Sequence, residues 1–180
     1  QLHRPDPHTP IEETLSALES LIQAGKVRYV GNSNFAGWQI VEAAWVARVR
    51  GFTPFISAQN EYSLLNRRIE TEVLPAAQSQ GLSILPYFPL ASGALTGKYR
   101  KGQPMPQGAR LSEVGSSVER FLSETKLEKI EDLHDVAIGV GHSLLELAFG
   151  WLLAKPLVAS VIAGATNQEQ VVANAAAGNR

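Results

Sequence analysis

A chain of 180 residues, 44% hydrophobic and 18% charged, holds enough apolar material for one folded core, which argues against intrinsic disorder. A net charge of -1 and a pI near 6.5 provide no basic surface, so neither nucleic acid nor a membrane is expected as a partner. The absence of cysteine excludes disulfides and thiol chemistry, and no apolar run approaches the roughly 18 residues of a membrane span. We expect a soluble, cytoplasmic protein.

The first predicted helix begins near Pro10. Thr9, Pro10 and Glu12 match a capping box, in which a hydroxyl and a glutamate satisfy free N–H groups of the first turn. Apolar residues then recur at helical spacing, and Gly25 is typical of the left-handed residue that ends a helix. A short β-rich run at residues 27–30 predicts the strand that follows.

The pattern of helix and strand then repeats. A helix is predicted over residues 37–50, a strand at 55–58, a third helix around 69–77 and a strand at 82–85. The buried stripe of the helix over residues 37–50 is predicted to comprise Ile40, Val41, Ala44 and Trp45.

The second half opens with a long stretch rich in Gly and Pro. Two helices are predicted after it, one at residues 118–133 and one around 144–151. The apolar run at residues 157–162 predicts a last strand, and a final helix follows Asn167.

These elements define an α/β fold. Strands that are apolar throughout are typical of parallel sheets whose crossover helices cover both faces. Counting Leu2 and His3 as the end of a strand gives five strands, whereas a closed barrel of this kind has eight strands and about 250 residues. The pattern alone does not choose between such a barrel and an open doubly wound sheet. Residues 1–180 show no linker, so we predict a single domain.

Polar residues follow the predicted strands. They are His3, Asn32 with Ser33, Gln59 with Asn60, and Tyr87. Residues of these types also form ordinary turns and caps, but the same placement after four strands favours a ligand site. In both kinds of α/β fold, ligands bind at the carboxyl ends of the strands.

Several familiar motifs do not fit. No G-x-G-x-x-G is present, so the dinucleotide-binding turn of a Rossmann domain is missing. Gly97 and Lys98 resemble the end of a P-loop, but Ser92 replaces its first glycine and Tyr99 replaces its Ser or Thr. ATP hydrolysis is therefore excluded.

The histidines do not predict a metal site. Metal-ligand spacing is lacking among His3, His8, His134 and His142. His134 and His142 are expected to be solvated or capping residues, and we assign no metal.

Five segments, in order, resemble the aldo-keto reductase family. They are residues 1–6 (QLHRPD), 31–35 (GNSNF), 59–62 (QNEY), 89–99 (PLASGALTGKY) and 162–167 (IAGATN). The resemblance covers essentially the whole chain and is closest to the bacterial and potassium-channel-β-like branch. It implies a (β/α)₈ TIM barrel, of which this chain supplies roughly strands 4 to 8 and their helices, with the N-terminal half absent.

The resemblance also implies an activity. Members of the family reduce aldehydes and ketones to alcohols with NADPH, using a tetrad of Asp, Tyr, Lys and His. Of this tetrad the chain contains the histidine, matched by His3, whose implied role is to orient the carbonyl of a small substrate. The Asp, Tyr and Lys are expected in the N-terminal half, so these residues alone are predicted to be inactive.

Further matches imply how NADPH or NADP⁺ is held. The implied cofactor-binding residues are Ser33, Asn34, Gln59, Tyr87, Phe88, Pro89, Leu90, Ala91, Ser92, Lys98, Arg110, Gly164, Thr166, Gln170 and Asn174. Lys98 matches a residue that contacts the pyrophosphate, and Arg110 one that reaches the 2′-phosphate of NADPH. Ala173 stands where relatives often have a glutamate near the adenosine, which is a departure from the pattern.

Two other functions compete with carbonyl reduction. One is an NADPH-binding regulatory or structural subunit on the same barrel with little turnover, and the other is an unrelated open-sheet α/β protein. Both the reductase and the regulatory subunit would be barrels. Five strands cannot close a barrel of eight, so residues 1–180 alone are expected to aggregate. We expect a longer polypeptide or strands supplied from elsewhere, and the sequence does not indicate an oligomeric state.

Overall fold

The computed structural model describes residues 1–113 and 115–178, which belong to two compact units. The first unit comprises Gln1–Glu61, Arg68–Tyr87 and Pro156–Ser160. The second unit comprises Tyr62–Arg67, Phe88–Lys155 and Val161–Arg180.

The first unit is built from parallel strands and crossover helices. Its helices are α1 (Ile11–Gln23), α2 (Gly37–Arg50) and α3 (Val73–Gln80), with a 3₁₀ turn at Arg68–Glu70, and its strands are β1 (Asn32–Ser33), β2 (Ser57–Gln59) and β3 (Ser83–Ile84). The core of the first unit includes Leu15, Ile40, Ala58, Ala77 and Ile84. Its alternation of strand and helix confirms the predicted α/β class.

The parallel segments follow one another in chain order across the sheet. Strands β1, β2 and β3 are adjacent and parallel. Leu2 adds a parallel bridge to Asn32 at one side, and Val158 adds one to Ile84 at the other. Each connection therefore moves one step in the same direction, whereas a doubly wound sheet reverses its order at a switch point.

Two predicted strands are misplaced. Residues 27–30 were expected to form one, but pairing starts only at Val30, whose carbonyl accepts from the Ile56 N–H at 2.9 Å, and β1 itself is Asn32–Ser33. The predicted strand at 157–162 pairs through Val158, and Ile162 remains 43% exposed. Residues that favour β-structure predicted a strand in both regions. The residues at which a short strand begins and ends depend instead on its pairing with strands far away in sequence.

The start of α1 also differs from the prediction. The Thr9 hydroxyl donates to Asp6 Oδ2 at 2.8 Å and does not cap the helix, so the predicted capping box is wrong. The carbonyl of Pro10 instead accepts from the N–H groups of Glu13 and Thr14. The predicted end is confirmed, since Gly25 has a φ of 68°.

The buried face of α2 is not the predicted stripe. Of the expected residues, Ile40 is buried, but Val41 is 41% exposed and Trp45 is 59% exposed. The buried face instead consists of Gly37, Ile40, Ala43 and Ala47. Small side chains on this face let the helix lie close to the residues it covers.

Helices dominate the second unit. They are α4 (Arg110–Glu113), α5 (Gly115–Leu122), α6 (Glu124–Gly139), α7 (Leu144–Leu153) and α8 (Gln168–Ala177), preceded by a 3₁₀ segment at Ala91–Thr96. The single helix predicted over residues 118–133 is wrong, because extended Ser123 separates α5 from α6. The core of the second unit includes Leu95, Tyr99, Leu111, Ile130 and Leu144.

Within residues 1–113 and 115–178, no single helix is long and apolar enough to cross a membrane. Helices α6 and α7 meet such a requirement of length and composition only when taken together, and an 89° bend separates them.

Candidate functional site

A pocket of about 560 Å³ lies in the first unit at the carboxyl ends of its parallel strands. Its lining residues are His3, Arg4, Ser33, Asn34, Gln59 and Tyr87. Five of these six were predicted as site residues from the sequence, and the structure brings them together. Consecutive parallel strands end at the same edge of the sheet, so side chains that are far apart in sequence meet there.

Hydrogen bonds join the walls of this pocket. Ser33 Oγ donates to the Gln59 carbonyl at 2.8 Å. Asn34 Nδ2 donates to the His3 carbonyl at 2.9 Å, and the Tyr87 hydroxyl donates to Asn34 Oδ1 at 2.7 Å. The Asn34 side chain thus links the first and last of the chain segments that contribute to the pocket.

Other polar groups of the pocket are available to a ligand. The His3 imidazole, the Arg4 guanidinium and the Gln59 amide form no hydrogen bond or ion pair with any described residue. An amide side chain has one acceptor and two donors, which are the groups that bind a carboxamide. Because the lining includes a guanidinium and no carboxylate, the pocket favours an electron-rich or anionic ligand.

Three residues that were not predicted as site residues, Gln1, Gly31 and Ser57, pack against one another on the sheet. Gly31 and Ser57 precede Ser33 and Gln59 by two residues, so they share their face. Gln1 Nε2 donates to Ser57 Oγ at 2.8 Å, and a Cβ atom at Gly31 would collide with both side chains. In the sequence, Gly31 was noted only as part of a family motif. In the structure, a larger residue at this position would collide with the Gln1 and Ser57 side chains.

Left-handed backbone is concentrated in the predicted site. Among the described residues, the non-glycine residues with positive φ are Asn34 (61°), Phe88 (52°), Ala91 (47°) and Ser92 (57°). All four were predicted to bind the cofactor. Such conformations cost free energy and persist where the surrounding structure enforces them, often at ligand sites.

The predicted residues at positions 88–92, which follow Tyr87, lie in the second unit. Pro89 and Ala91 are buried, and the Leu90 carbonyl accepts from the N–H groups of Gly93 and Leu95, which forms a tight turn around Ser92. The Arg110 guanidinium lies 5.9 Å from the centroid of the Phe88 ring.

Lys98 and Arg110 are connected through a buried phenol. Lys98 is exposed, and the neighbouring Tyr99 is only 1% exposed. The Tyr99 hydroxyl accepts from the Leu111 N–H at 3.2 Å, and Leu111 follows Arg110. One hydrogen bond thus fixes the backbone beside both predicted phosphate-binding cations.

The last predicted residues form a network at the start of α8. The N–H and hydroxyl of Thr166 donate to Gln170 Oε1 at 2.8 and 3.2 Å, and Asn174 Nδ2 donates to the Gly164 carbonyl at 3.5 Å. Asn167, which was not predicted as a site residue, caps the helix by accepting from the Gln170 N–H at 2.9 Å.

The fold and the pocket define a class of protein: an α/β protein whose parallel strands follow one another in chain order, with a pocket at the carboxyl ends of those strands. The model of the "Aldo/keto reductase family" matches residues 1–180. The chain belongs to this family, as the sequence motifs predicted.

Its relatives include both channel-subunit and oxidoreductase proteins. The chain is 40% identical to "Probable voltage-gated potassium channel subunit beta" of Oryza sativa subsp. japonica over 96% of this chain and 53% of the relative. It is 38% identical to "Uncharacterized oxidoreductase YrpG" of Bacillus subtilis (strain 168), over 95% and 50%. It is 36% identical to "L-glyceraldehyde 3-phosphate reductase" of Escherichia coli (strain K12), over 98% and 52%. These relatives confirm the predicted branch, and the chain spans about half of their length.

Proposed function

We propose that the full-length protein is an NADP-dependent reductase of small aldehydes or ketones. In this proposal the chain supplies strands 4 to 8 of a (β/α)₈ barrel, and the general-acid Tyr with its Lys and Asp lies outside residues 1–180. One observation carries the proposal: His3, Ser33, Gln59 and Tyr87 come from separate parallel segments and line the same pocket.

His3 is the catalytic residue that this chain contributes. Hydride arrival at a carbonyl carbon leaves negative charge on the oxygen, and a donor aimed at that oxygen stabilises it. The His3 imidazole lines the pocket and has no hydrogen-bond partner among the described residues, so it is free to orient a carbonyl.

The side chains matched by the family motifs have the chemistry that a nicotinamide dinucleotide requires. Bound NADPH supplies the hydride. The free Gln59 amide suits the carboxamide, while Ser33 and Asn34 shape the wall beside it and Tyr87 provides an aromatic surface. Lys98 and Arg110 supply cations for the phosphates, and Arg110 is the residue that favours NADPH over NADH.

A second function is supported by a specific observation. The relative named as a probable channel β subunit is 40% identical over 96% of this chain. The alternative is therefore an NADPH-binding regulatory subunit with little turnover, built on the same barrel.

The two functions differ in turnover of the full-length protein. We expect the protein to oxidise NADPH in the presence of at least one carbonyl substrate from a panel of nitrobenzaldehyde, methylglyoxal and glyceraldehyde 3-phosphate. The loss of NADPH is measured by its absorbance. His3→Gln should lower kcat/KM by about 100- to 1,000-fold, as loss of one donor to a developing oxyanion does, with the Kd for NADPH unchanged.

His8→Gln is the matched control, since it makes the same change five residues away at an exposed position outside the pocket. NADPH binding without turnover of any carbonyl would favour the regulatory function. Failure of the full-length protein to bind NADPH would contradict both.

A further inference from the structure

Helix α6 holds the segment that follows Lys98. Arg100 Nε donates to both carboxylate oxygens of Glu131 at 3.0 Å, and Arg100 Nη2 donates to Glu131 Oε2 at 2.6 Å. The same carboxylate accepts from the Lys101 N–H at 2.8 Å. One acidic side chain therefore binds a guanidinium and the backbone of the next residue.

Two further contacts join the same segment and helix. Arg100 Nη1 lies 3.0 Å from His134 Nε2, one helical turn beyond Glu131. Lys101 Nζ donates to Glu128 Oε1 at 2.7 Å, one turn before it. The prediction that His134 is a solvated or capping residue is wrong, because it lies within α6 with a side chain only 22% exposed.

This arrangement differs from an ordinary surface ion pair. An isolated, exposed ion pair contributes little to folding stability. A bidentate Arg–carboxylate pair, in contrast, also fixes the relative orientation of its two side chains. Hydrogen bonds from Arg100 and from the Lys101 N–H lower the pKa of Glu131 from 4.5 to about 2, so its carboxylate is ionised throughout the neutral range.

The segment held in this way carries an available cation. Lys98 is exposed and forms no hydrogen bond or ion pair with any described residue, and its amine lies 5.3 Å from the centroid of the Tyr99 ring. The segment is also anchored through Tyr99, whose hydroxyl accepts a hydrogen bond from the Leu111 N–H. This hydrogen bond also fixes the backbone next to Arg110.

We propose that Glu131 and His134 are positioning residues that slow nucleotide release by holding the Lys98–Lys101 segment against α6. The inference rests on the proposed function, because it takes Lys98 and Arg110 as the phosphate-binding cations. Preorganising a binding segment lowers the entropy lost on binding, and such effects are expressed mainly in the dissociation rate.

The test uses the full-length protein and the rate of NADPH release. Glu131→Gln removes the charge but keeps the size of the side chain, and it should raise the NADPH dissociation rate about three- to tenfold, measured by stopped-flow fluorescence after a chase. The KM for NADPH should rise in parallel, while kcat at saturating NADPH should not fall. A merely structural defect would lower kcat as well.

Asp132→Asn is the matched control, because it removes one charge from the neighbouring exposed position of α6, which has no ion pair in the described part of the chain. His134→Leu should accelerate release, and His134→Gln, which keeps an acceptor for Arg100, should restore the slow rate. Arg100→Glu and Glu131→Arg should each accelerate release, and the double variant should recover most of the loss.

The possible failures are distinguishable. If wild-type protein binds NADPH but Glu131→Gln releases it at the same rate as Asp132→Asn, the positioning role is overturned and the proposed function stands. If wild-type protein binds no NADPH, the proposed function itself fails, and the positioning role fails with it. A double variant no slower than either single charge reversal would also count against the proposal.

Discussion

The polar side chain of Asn32 is buried in β1 without a hydrogen-bond partner in the described part of the chain. The residue is 0% exposed in β1, and neither its Nδ2 nor its Oδ1 has a hydrogen-bond partner among the described residues. The adjacent Ser33 faces the pocket, so Asn32 faces the opposite side of the sheet, away from the ligand. Burial of an unpartnered amide costs free energy.

Replacement of Asn32 should therefore stabilise the protein. Asn32→Val should raise the free energy of unfolding of the full-length protein by about 1 to 3 kcal/mol, since it removes a desolvated amide and adds a side chain that suits a strand. Urea unfolding gives the measurement, and nucleotide affinity should stay the same.

Asn60→Val provides the comparison. Asn60 is 6% exposed, and its Oδ1 also has no partner among the described residues, but its Nδ2 donates to the Phe35 carbonyl at 3.4 Å. Because this substitution breaks an existing hydrogen bond, it should stabilise the protein less than Asn32→Val does. A midpoint for Asn32→Val at or below that of wild type would mean that its amide is satisfied in the full-length protein.

At the scale of elements, α2 shows how packing selects the buried face of a helix. Its large apolar side chains Trp38, Trp45 and Val49 are each about 60% exposed, whereas Ala43 and Ala47 are buried. Apolar periodicity predicted the residues 37–50 correctly as a helix but selected the wrong stripe. Close approach to the rest of the first unit favours small residues, and a count of hydrophobic residues does not reveal that preference.

The α2 face can be tested by enlarging one alanine. Ala43→Leu adds volume at a position with 0% exposure and should destabilise the full-length protein by about 1 to 3 kcal/mol, measured by urea unfolding. Ala44→Leu, the same substitution at the next and half-buried position, should cost less. Equal losses would indicate that the face is assigned incorrectly.

Local sequence patterns predicted most of the residues that line the pocket. His3, Ser33, Gln59 and Tyr87 were predicted because each follows a strand, and the parallel order of the strands brings them together. Asn34 was predicted only from the family resemblance. Arg4 was missed, because an arginine beside a strand end is also typical of a solvated surface.

The contact between Arg100 and Glu131 had no local signal at all. The two residues are 31 positions apart and lie on different elements. Neither helical spacing nor a family motif relates them, so only the folded chain shows the pair. Tertiary ion pairs of this kind are the part of the molecule that sequence patterns predict least.

At the scale of the whole molecule, the sheet of the first unit has two unpaired edges within residues 1–113 and 115–178. Leu2 and Val158 mark its outermost parallel segments, and each pairs with a strand on only one side among the described residues. Unpaired strand edges expose backbone N–H and C=O groups that readily pair with another chain.

A polypeptide limited to residues 1–180 should therefore self-associate. Sedimentation velocity should show species that keep growing as the protein concentration rises, and the full-length protein should not form such open-ended aggregates. Soluble, monomeric and cooperatively unfolding material made from residues 1–180 alone would contradict this expectation.

The hydrogen bond between Tyr99 and Leu111 has an evolutionary consequence. It closes the chain between the two residues into a loop that includes Gly102 and Gly108, both with positive φ. Lengthening a closed loop costs little free energy, because the entropy of closure grows only with the logarithm of its length. We therefore expect insertions and deletions between these glycines to be tolerated, and an alignment of homologues should show the largest variation in length there while both ends stay fixed.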